Sequence, residues 1–269
     1  MHLHCWRTPL NNPSVIVVTG GASGMGKAYA LKHASESQLV AVVDQDKAQL
    51  QSLKEQRPEI QTYHCDVANN QQLVDTFASL VTELGQISRL VHCPAIMPTA
   101  YLASEDPEIV NRVMNINYGG TVNTVSAVLP SMLKQDYGEI IIFGSSGGYA
   151  LVPECGAYCV SKAATNTYAE ILIEENRASR VHIMLVCPPL VDTPLLQQPA
   201  ATSNPQILID SKQHKRFVSP QFIVDEIDKA LSRGTRILRP GMEAKIMYIL
   251  RRISPGLVWR LMRYANKST

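Results

Sequence analysis

Tyr158 and Lys162 lie four residues apart at the start of a strongly helical pattern, so their side chains share one helix face. A free phenol has a pKa of about 10 and is a poor base at neutral pH. A nearby ammonium group would stabilise the phenolate and lower that pKa toward the working range. Ser145, thirteen residues before the tyrosine, offers a hydroxyl for a substrate oxygen. The three residues predict a proton-transfer site.

A glycine-rich loop, Thr19–Gly26, follows the first strand-like segment and leads into a helical pattern. Glycines let a backbone turn tightly and approach a pyrophosphate closely. The helix N-terminus then offers free N–H groups and a positive dipole to that anion. The position of the loop predicts a dinucleotide site, with contacts from Gly20, Ala22, Ser23, Gly24, Met25 and Gly26.

Asp44 ends the second strand-like segment and bears on the choice of cofactor. A carboxylate there can accept hydrogen bonds from both adenosine ribose hydroxyls and would repel a 2′-phosphate, which favours NAD over NADP. Lys27, just beyond the last glycine, leaves NADP open. Asp44 also fits as the N-cap of a helix over 46–56. The positive charge of an oxidised nicotinamide would further stabilise the Tyr158 phenolate.

Short apolar segments rich in β-branched residues alternate with longer helical patterns along most of the chain. The strands are predicted at Ser14–Thr19, Leu39–Asp44, Ile60–Asp66, Ser88–Cys93, Glu139–Gly144, Val181–Cys187 and Thr235–Leu238. The helices are predicted at 24–36, 46–56, 69–84, 106–133, 157–177 and 220–232. Strands that are apolar throughout are buried on both faces. The alternation predicts an α/β fold, a Rossmann-type doubly wound parallel sheet of about seven strands, in a single domain over 13–240.

Taken together, these motifs resemble the short-chain dehydrogenase/reductase family from about Pro13 to Arg239. The matching pieces are the glycine loop, Asp66-Val67 after the third strand, Asn117, Ser145, and the pair Tyr158 and Lys162. The resemblance implies an oxidoreductase that interconverts a secondary alcohol and a ketone by hydride transfer with NAD or NADP. It also implies a homodimer or homotetramer.

The resemblance further implies a role for each matching residue. Tyr158 would be the general acid in ketone reduction and the general base in alcohol oxidation. Ser145 would bind the substrate oxygen, and Lys162 would lower the tyrosine pKa and hold the nicotinamide ribose. Asn117 would fix a water that links Lys162 to solvent. Contacts to adenine would come from Asp66 and Val67, and contacts to the nicotinamide carboxamide from Val191 and Thr193.

The chain departs from the family pattern after the fourth strand, where Asn-Asn-Ala-Gly is replaced by His92-Cys93-Pro94-Ala95. Cys93 and Pro94 are still expected to contact the cofactor. Proline lacks an N–H donor, and alanine replaces a glycine that lets the backbone meet the cofactor. His92 is expected to be structural, with ligand contact as the alternative. Pro188-Pro189 stiffens the start of the loop after the sixth strand.

Residues 189–219 form a Pro-, Gln- and Ser-rich segment with scattered leucines, and we expect it to border the substrate. Its leucines and isoleucine, with residues just before the tyrosine, would make an apolar wall. Substrate contacts are predicted from Ser145, Leu151, Tyr158 and Leu195, with Val152, Leu196, Ile207 and Leu208 nearby. Such a wall suits a hydrophobic or lipid-like substrate. Alternatively, these side chains only attach the loop to the core.

The C-terminal tail, 241–269, is basic and amphipathic. Residues 235–269 contain eight Lys or Arg and one acidic residue, whereas the rest of a chain of net charge +2 carries −5. Two helical pieces are predicted, interrupted by Ser254-Pro255-Gly256. The tail resembles those of family members that reduce long-chain lipid ketones, such as 3-ketosphinganine reductases. Over 241–266 it fits either a membrane interface or packing against the core or a partner subunit.

Composition narrows the remaining classes. Six scattered cysteines suggest reduced thiols in a cytoplasmic protein, no Cys/His pair has zinc-ligand spacing, and the net charge does not suggest nucleic acid. Neither a signal peptide nor a run of 18 apolar residues is found. We therefore expect a cytoplasmic enzyme, peripheral at the inner face of a membrane if the tail binds lipid. A catalytically weak cofactor-binding or scaffolding protein is the main alternative, and a lyase or epimerase is the third.

Overall fold

The computed structural model describes residues 15–34, 38–198, 202–214 and 216–266. Seven strands alternate with helices through most of this range. The strands are β1 (Val15–Thr19), β2 (Leu39–Asp44), β3 (Gln61–His64), β4 (Ile87–His92), β5 (Gly138–Phe143), β6 (Val181–Val186) and β7 (Ile237–Leu238). The helices are α1 (Gly24–His33), α2 (Lys47–Gln56), α3 (Asn70–Leu84), α4 (Pro107–Met114), α5 (Gly120–Lys134), α6 (Gly156–Glu175), α7 (Gln206–Gln213), α8 (Pro220–Ser232), α9 (Met242–Ile253) and α10 (Pro255–Asn266).

The strands form one parallel sheet in the order β3-β2-β1-β4-β5-β6-β7. From β1 the chain first builds outward through β2 and β3, and then returns to place β4 on the other side of β1. Neighbouring crossovers therefore leave in opposite directions between β1 and β4, which opens a crevice at the carboxyl ends of these two strands. The predicted fold class is confirmed.

Helices cover both faces of the sheet because the strands are apolar on both sides. Side chains of α3, α5 and α6 pack on one face, around Leu90 of β4. Side chains of α1, α2 and α8 pack on the other face, around Val91 of the same strand. Adjacent residues of a strand point to opposite faces, so one strand supplies both halves of the core.

Several predicted boundaries need correction. The edge strands β3 and β7 are only partly buried and shorter than predicted, because each has a neighbouring strand on one side alone. The long helix predicted over 106–133 is divided by a π-helical turn at Asn115–Gly119 between α4 and α5. The loop predicted over 189–219 contains α7 and a short 3-10 turn at Pro194–Gln197. Ser14 and residues 35–36, at the ends of two predicted elements, lie outside the described residues.

The tail forms two helices, and Ser254 alone separates them. Pro255 begins α10 instead of extending the break, since proline is tolerated in the first turn of a helix. The tail packs on the core through Tyr149, whose hydroxyl donates to the Ala244 carbonyl at 3.3 Å and whose ring meets Tyr248 edge to face. The Arg239 guanidinium lies 3.6 Å from the Tyr248 ring centre. Among the described residues, no helix is both long and apolar enough to span a membrane. The division into 13–240 and 241–269 stays an interpretation.

Candidate active site

The crevice between β1 and β4 holds a cleft of about 270 Å³. Most of the predicted cofactor residues line it. From the glycine loop these are Gly20, Ser23, Gly24, Met25 and Gly26. From the other segments they are Asp44, Asp66, Val67, Cys93, Pro94 and Thr193. Residues from five separate segments, which follow β1, β2, β3, β4 and β6, thus meet at one edge of the sheet.

The glycines of the loop are packed so tightly against neighbouring atoms that side chains at these positions would not fit. A Cβ on Gly26 would overlap the Gly20 carbonyl oxygen. Gly20 has a φ of +65°, and a Cβ there would lie 2.7 Å from the Pro94 nitrogen. Thr193 covers the loop from the opposite side, with its Cγ2 3.3 Å from the Cβ position of Gly24. The loop leaves its backbone bare where a pyrophosphate would sit, so the cleft fits a dinucleotide.

The Asp44 carboxylate is fixed at one end of the cleft by two backbone N–H groups. It accepts from Ala22 at 3.0 Å and from Asp46 at 3.1 Å. The cap of α2 is Asp46, which accepts from Gln49, so the capping role considered for Asp44 is wrong. Ala22 is buried and does not line the cleft, and its N–H instead orients Asp44. The described residues of the cleft include three aspartates and neither lysine nor arginine.

The unusual segment after β4 forms part of the cleft. Cys93 donates its N–H to the Thr19 carbonyl at 3.0 Å, so the segment leaves β4 in register with β1. Ala95 does not have a positive φ, so the absence of glycine causes no backbone strain. Its side chain lies where the cleft meets a second cavity. The altered sequence therefore changes the surface beside the cofactor site without closing it.

His92 is a buried structural residue that lines neither cavity. Its Nδ1 is 2.8 Å from the Thr19 hydroxyl, and its Nε2 has no hydrogen-bond partner within the described chain. Burial, with a smaller contribution from the Lys162 charge, lowers the His92 pKa to about 3. The imidazole is therefore neutral at physiological pH.

A second cavity of about 570 Å³ adjoins the cleft, and its lining is mainly apolar. Ser145, Tyr158, Lys162 and Val191 line it, and Leu195 borders both spaces. Four more residues of the predicted apolar wall also line it, namely Val152, Leu196, Ile207 and Leu208. Leu151 does not. The lining includes Ala150 and Val152 on either side of it, and in extended chain alternate residues share a face.

Ser145 and Tyr158 are neighbours in this cavity, where both side chains lie beside Gly147. Burial raises the pKa of Tyr158 above its ordinary value, and the polar Ser145 hydroxyl lowers that pKa by a smaller amount. The Ser145 oxygen also accepts from the Gly147 N–H at 3.0 Å, which fixes its position. In the chain without cofactor, the phenol is therefore protonated at neutral pH.

Lys162 is buried in the lining of the cavity, and its Nζ donates to the Phe143 carbonyl at 2.8 Å. Its charge acts on Cys93, which borders both the cavity and the cleft and so marks their junction. Burial lowers the pKa of Lys162 to about 8. The main causes of the Tyr158 pKa shift in this state do not include the charge of Lys162, whereas that charge lowers the pKa of His92 and of Cys93. The predicted lowering of the tyrosine pKa thus depends on the charge distribution once cofactor is bound.

Asn117 is buried in the π-helical turn and lines neither cavity. Its Oδ1 accepts from the Ile96 N–H at 2.9 Å, and its Nδ2 donates to the Ile96 carbonyl and the Ser161 hydroxyl. The side chain thus ties a cleft residue to α6, which makes Asn117 a positioning residue. The water relay predicted for it stays a prediction.

Asn166 was not found by sequence reasoning, although it holds Ser145 in place. Its Oδ1 accepts from the Ser145 N–H at 3.2 Å, and its Nδ2 donates to the Ser145 carbonyl at 3.0 Å. Asn166 follows Lys162 by four residues, as Lys162 follows Tyr158. This repeated spacing on one face of α6 was the signal available in the sequence.

The tail was also not predicted to be part of the cavity. Ala244 and Met247 of α9 and Leu261, Met262 and Tyr264 of α10 all line it. The amphipathic pattern indicated an apolar face but not the surface against which that face packs.

The described cysteines are free thiols, and Cys155 and Cys159 border the cavity. Within the described ranges, no group of His, Cys, Asp and Glu is arranged to hold a metal.

The sheet is parallel, and the cleft beside its glycine loop lies in the crevice between β1 and β4, where the strand order reverses. These features define a Rossmann-type dinucleotide-binding protein. Residues 14–204 match the family model described as short chain dehydrogenase. The chain therefore belongs to the short-chain dehydrogenase family, and it is an NAD(P)-dependent oxidoreductase.

Individual relatives agree with this assignment. The chain is 27% identical over 264 residues to a 3-ketodihydrosphingosine reductase of Dictyostelium discoideum, covering 90% of this chain and 78% of the relative. It is 26% identical over 201 residues to estradiol 17-beta-dehydrogenase 11 of Pongo abelii, covering 72% and 67%. A short-chain dehydrogenase from Burkholderia phymatum, solved in complex with NAD, shares the fold with a TM-score of 0.79 at 22% identity, covering 91% and 95%.

Proposed function

We propose that this protein interconverts a hydrophobic secondary alcohol and the corresponding ketone, with NAD as its preferred cofactor and Tyr158 as the acid or base. One observation carries the proposal. The Ser145 and Tyr158 side chains lie side by side, next to Gly147, inside an apolar cavity that opens directly onto a dinucleotide cleft. A carbonyl carbon held against this pair lies next to the place where a nicotinamide would be bound.

The preference for NAD rests on the charge of the cleft. Asp44 is held by two N–H groups in a position suited to ribose hydroxyls, and its carboxylate would repel a 2′-phosphate. Lys27, the residue that left NADP open, does not line the cleft. The NAD complex of the Burkholderia phymatum protein, which has the same fold, is consistent with this choice.

Bound cofactor supplies or accepts the hydride, and the residues of the chain handle the proton. In ketone reduction, the Ser145 hydroxyl donates a hydrogen bond to the substrate oxygen, while the Tyr158 hydroxyl transfers its proton to that oxygen. In alcohol oxidation, Tyr158 must first lose its proton. Because burial raises its pKa, the oxidative direction depends on positive charge brought into the site, from Lys162 and from the cofactor itself.

The apolar walls of the cavity support a hydrophobic or lipid-like substrate. The 3-ketodihydrosphingosine reductase of Dictyostelium discoideum, a relative named for a long-chain ketone, also supports a substrate of this class.

We further propose a cytoplasmic protein with peripheral membrane contact through 241–266. A homodimer or homotetramer is also part of the proposal, supported by the exposed Ile109, Val160 and Ile171 on α4 and α6.

The experiment is reduction of a panel of hydrophobic ketones, followed by loss of reduced cofactor, in wild type, Tyr158→Phe and Tyr168→Phe. Tyr168 lies on the same helix, and its ring packs against Tyr118. We expect Tyr158→Phe to lower kcat by about 10²- to 10⁴-fold while it leaves cofactor affinity nearly unchanged. Tyr168→Phe is expected to retain wild-type turnover.

Unchanged turnover in Tyr158→Phe would refute the acid–base role. Failure of the purified wild type to take up either dinucleotide would refute the proposed function altogether. Uptake of cofactor without reduction of any ketone would support the alternative, a cofactor-binding or scaffolding protein.

A further inference from the structure

The two tail helices carry a stripe of exposed apolar side chains, called here the tail stripe. Its members are Met242, Ile246, Ile249 and Ile253 on α9 and Leu257, Leu261 and Tyr264 on α10. Spacings of three and four residues place each set on one helix face. Met242, Ile253 and Tyr264 are 70%, 78% and 81% exposed. Contiguous apolar faces of this kind are uncommon on surfaces that only meet water, so the stripe requires a partner.

The charges around the stripe indicate which partner. Lys245, Arg252, Arg260 and Arg263 are all exposed on the same two helices. At about 100° per residue, they project to one side of the stripe. Glu243 is the one acidic residue of the sequence between 235 and 269. An apolar face bordered by cations matches the interface of an anionic bilayer, whereas a second copy of the tail would bring like charges together.

The same helices also form a wall of the substrate cavity, with Ala244, Met247 and Met262 on the side away from water. Leu261 and Tyr264 belong to both surfaces, because they line the cavity and are 46% and 81% exposed. The tail stripe is therefore continuous with the cavity lining. The cavity lining also contains two side chains of opposite charge, Arg216, which is exposed, and Asp210, which is partly buried.

We propose that the tail stripe docks on an anionic lipid bilayer, so that the substrate cavity opens alongside Leu261 and Tyr264 of α10 into the acyl region. The substrate is then a membrane-resident amphiphile whose ketone or alcohol moves from the bilayer to Ser145 and Tyr158 without passing through water. This inference rests on the proposed function for its chemistry. The docking itself rests on the exposed side chains and charges of the tail.

Point variants of the full-length protein test the docking, since removal of the tail would also remove a wall of the cavity. The test variant is Ile249→Ser/Ile253→Ser, which changes two exposed stripe residues that do not line the cavity. Its control is Val74→Ser/Val81→Ser on α3, where two apolar β-branched side chains are also exposed, at 44% and 41%. Flotation is measured with phosphatidylcholine vesicles, with and without phosphatidylserine.

We expect wild type and control to float with the anionic vesicles, and the stripe variant to bind them about ten-fold more weakly. Turnover is then measured in three assays. Cyclohexanone is supplied in water, and octadecan-3-one is supplied either in vesicles or in detergent micelles. The stripe variant should lose about ten-fold in turnover of the vesicle-borne ketone alone, because only that substrate depends on docking.

Each contrary outcome identifies a different error. Equal flotation of stripe and control variants would overturn the docking. A wild type that does not bind vesicles, but whose oligomeric state is changed by the stripe variant, would show a contact between copies of the chain instead. Equal losses of turnover in vesicles and micelles would overturn direct passage from the bilayer. A wild type that floats but reduces neither ketone would contradict the proposed oxidoreductase activity and leave the docking in place.

Discussion

The cofactor cleft and the substrate cavity meet at the same edge of the sheet, yet they are constructed differently. The cleft is formed mainly by short turns that follow β1, β2, β3 and β4, with Thr193 covering it from the loop after β6. Its shape depends on bare backbone and on the fixed Asp44 carboxylate. The cavity is bounded by side chains from the loop after β5, α6, the loop after β6, α7 and the tail. The cleft is therefore defined locally along the chain, and the cavity by packing between segments far apart in sequence.

Because of this difference, the cleft and the cavity differ in how much sequence change they tolerate. A turn that must leave room for a pyrophosphate tolerates little change, because a single added methyl group collides with backbone. An apolar wall tolerates exchange of one hydrophobic side chain for another of similar volume. Cofactor class is consequently encoded in a few positions, whereas substrate selectivity is distributed over many.

The largest expected effect is that of Gly26→Ala, which would break the cleft. The added Cβ overlaps the Gly20 carbonyl, so the loop must move out of its phosphate-binding conformation. We expect cofactor affinity to fall about 100-fold, equivalent to about 3 kcal/mol, when measured by titration of protein fluorescence with NADH. Gly256→Ala is the control, because nothing lies within 4 Å of its Cβ position. Unchanged affinity in Gly26→Ala would show that the glycine loop does not hold the cofactor.

Lys162→Met probes the junction of the two regions through its effect on stability. Burial lowers the folded-state pKa from 10.5 to about 8, so the unfolded chain binds more protons between these values and stability rises with pH. The penalty is fully present below pH 8 and is released as the pH passes 10.5. Without cofactor, wild type should gain about 3 kcal/mol in unfolding free energy over this window relative to the variant.

Denaturant unfolding of wild type and Lys162→Met at several pH values measures this difference directly. Because both proteins share every other titrating group, those contributions cancel to a first approximation. A stability difference that does not change between pH 8 and 10.5 would mean that water reaches the ammonium group, and that cleft and cavity are less closed at their junction than the structure shows.

The smallest expected effect is in the cavity wall. Met262→Ala removes a partly buried side chain from α10 and enlarges the cavity. We expect KM for a small ketone to rise about three-fold and KM for a branched, bulkier ketone to fall, with kcat for both nearly unchanged. The control is Met242→Ala, on the exposed side of the tail. A large fall in kcat would show that the wall also positions the reacting groups, against the distinction drawn between the two regions.

The residues that the sequence predicts correctly belong mainly to locally defined segments, and those that it does not predict depend on packing between distant segments. The glycine loop, Asp44, and the pair Tyr158 and Lys162 could be identified because each depends on residues close together in the chain. Leu151 was placed in the cavity wrongly, because the direction of a side chain in an irregular segment is not encoded in its type. The contribution of α10 could not be predicted because it depends on a packing contact between the tail and α7, which no local pattern specifies. The π-helical turn around Asn117 was missed because its sequence reads as continuous helix.

Asn166 also explains why glycine stands at position 144. A Cβ on Gly144 would overlap the Asn166 Oδ1 atom that accepts the Ser145 N–H. The two positions are therefore coupled, and a serine at 144 would be tolerated only if residue 166 became smaller at the same time. Such a change would free Ser145 from the helix that carries Tyr158. Substitutions at positions 144 and 166 should thus be made together, because either single replacement passes through a mismatched intermediate.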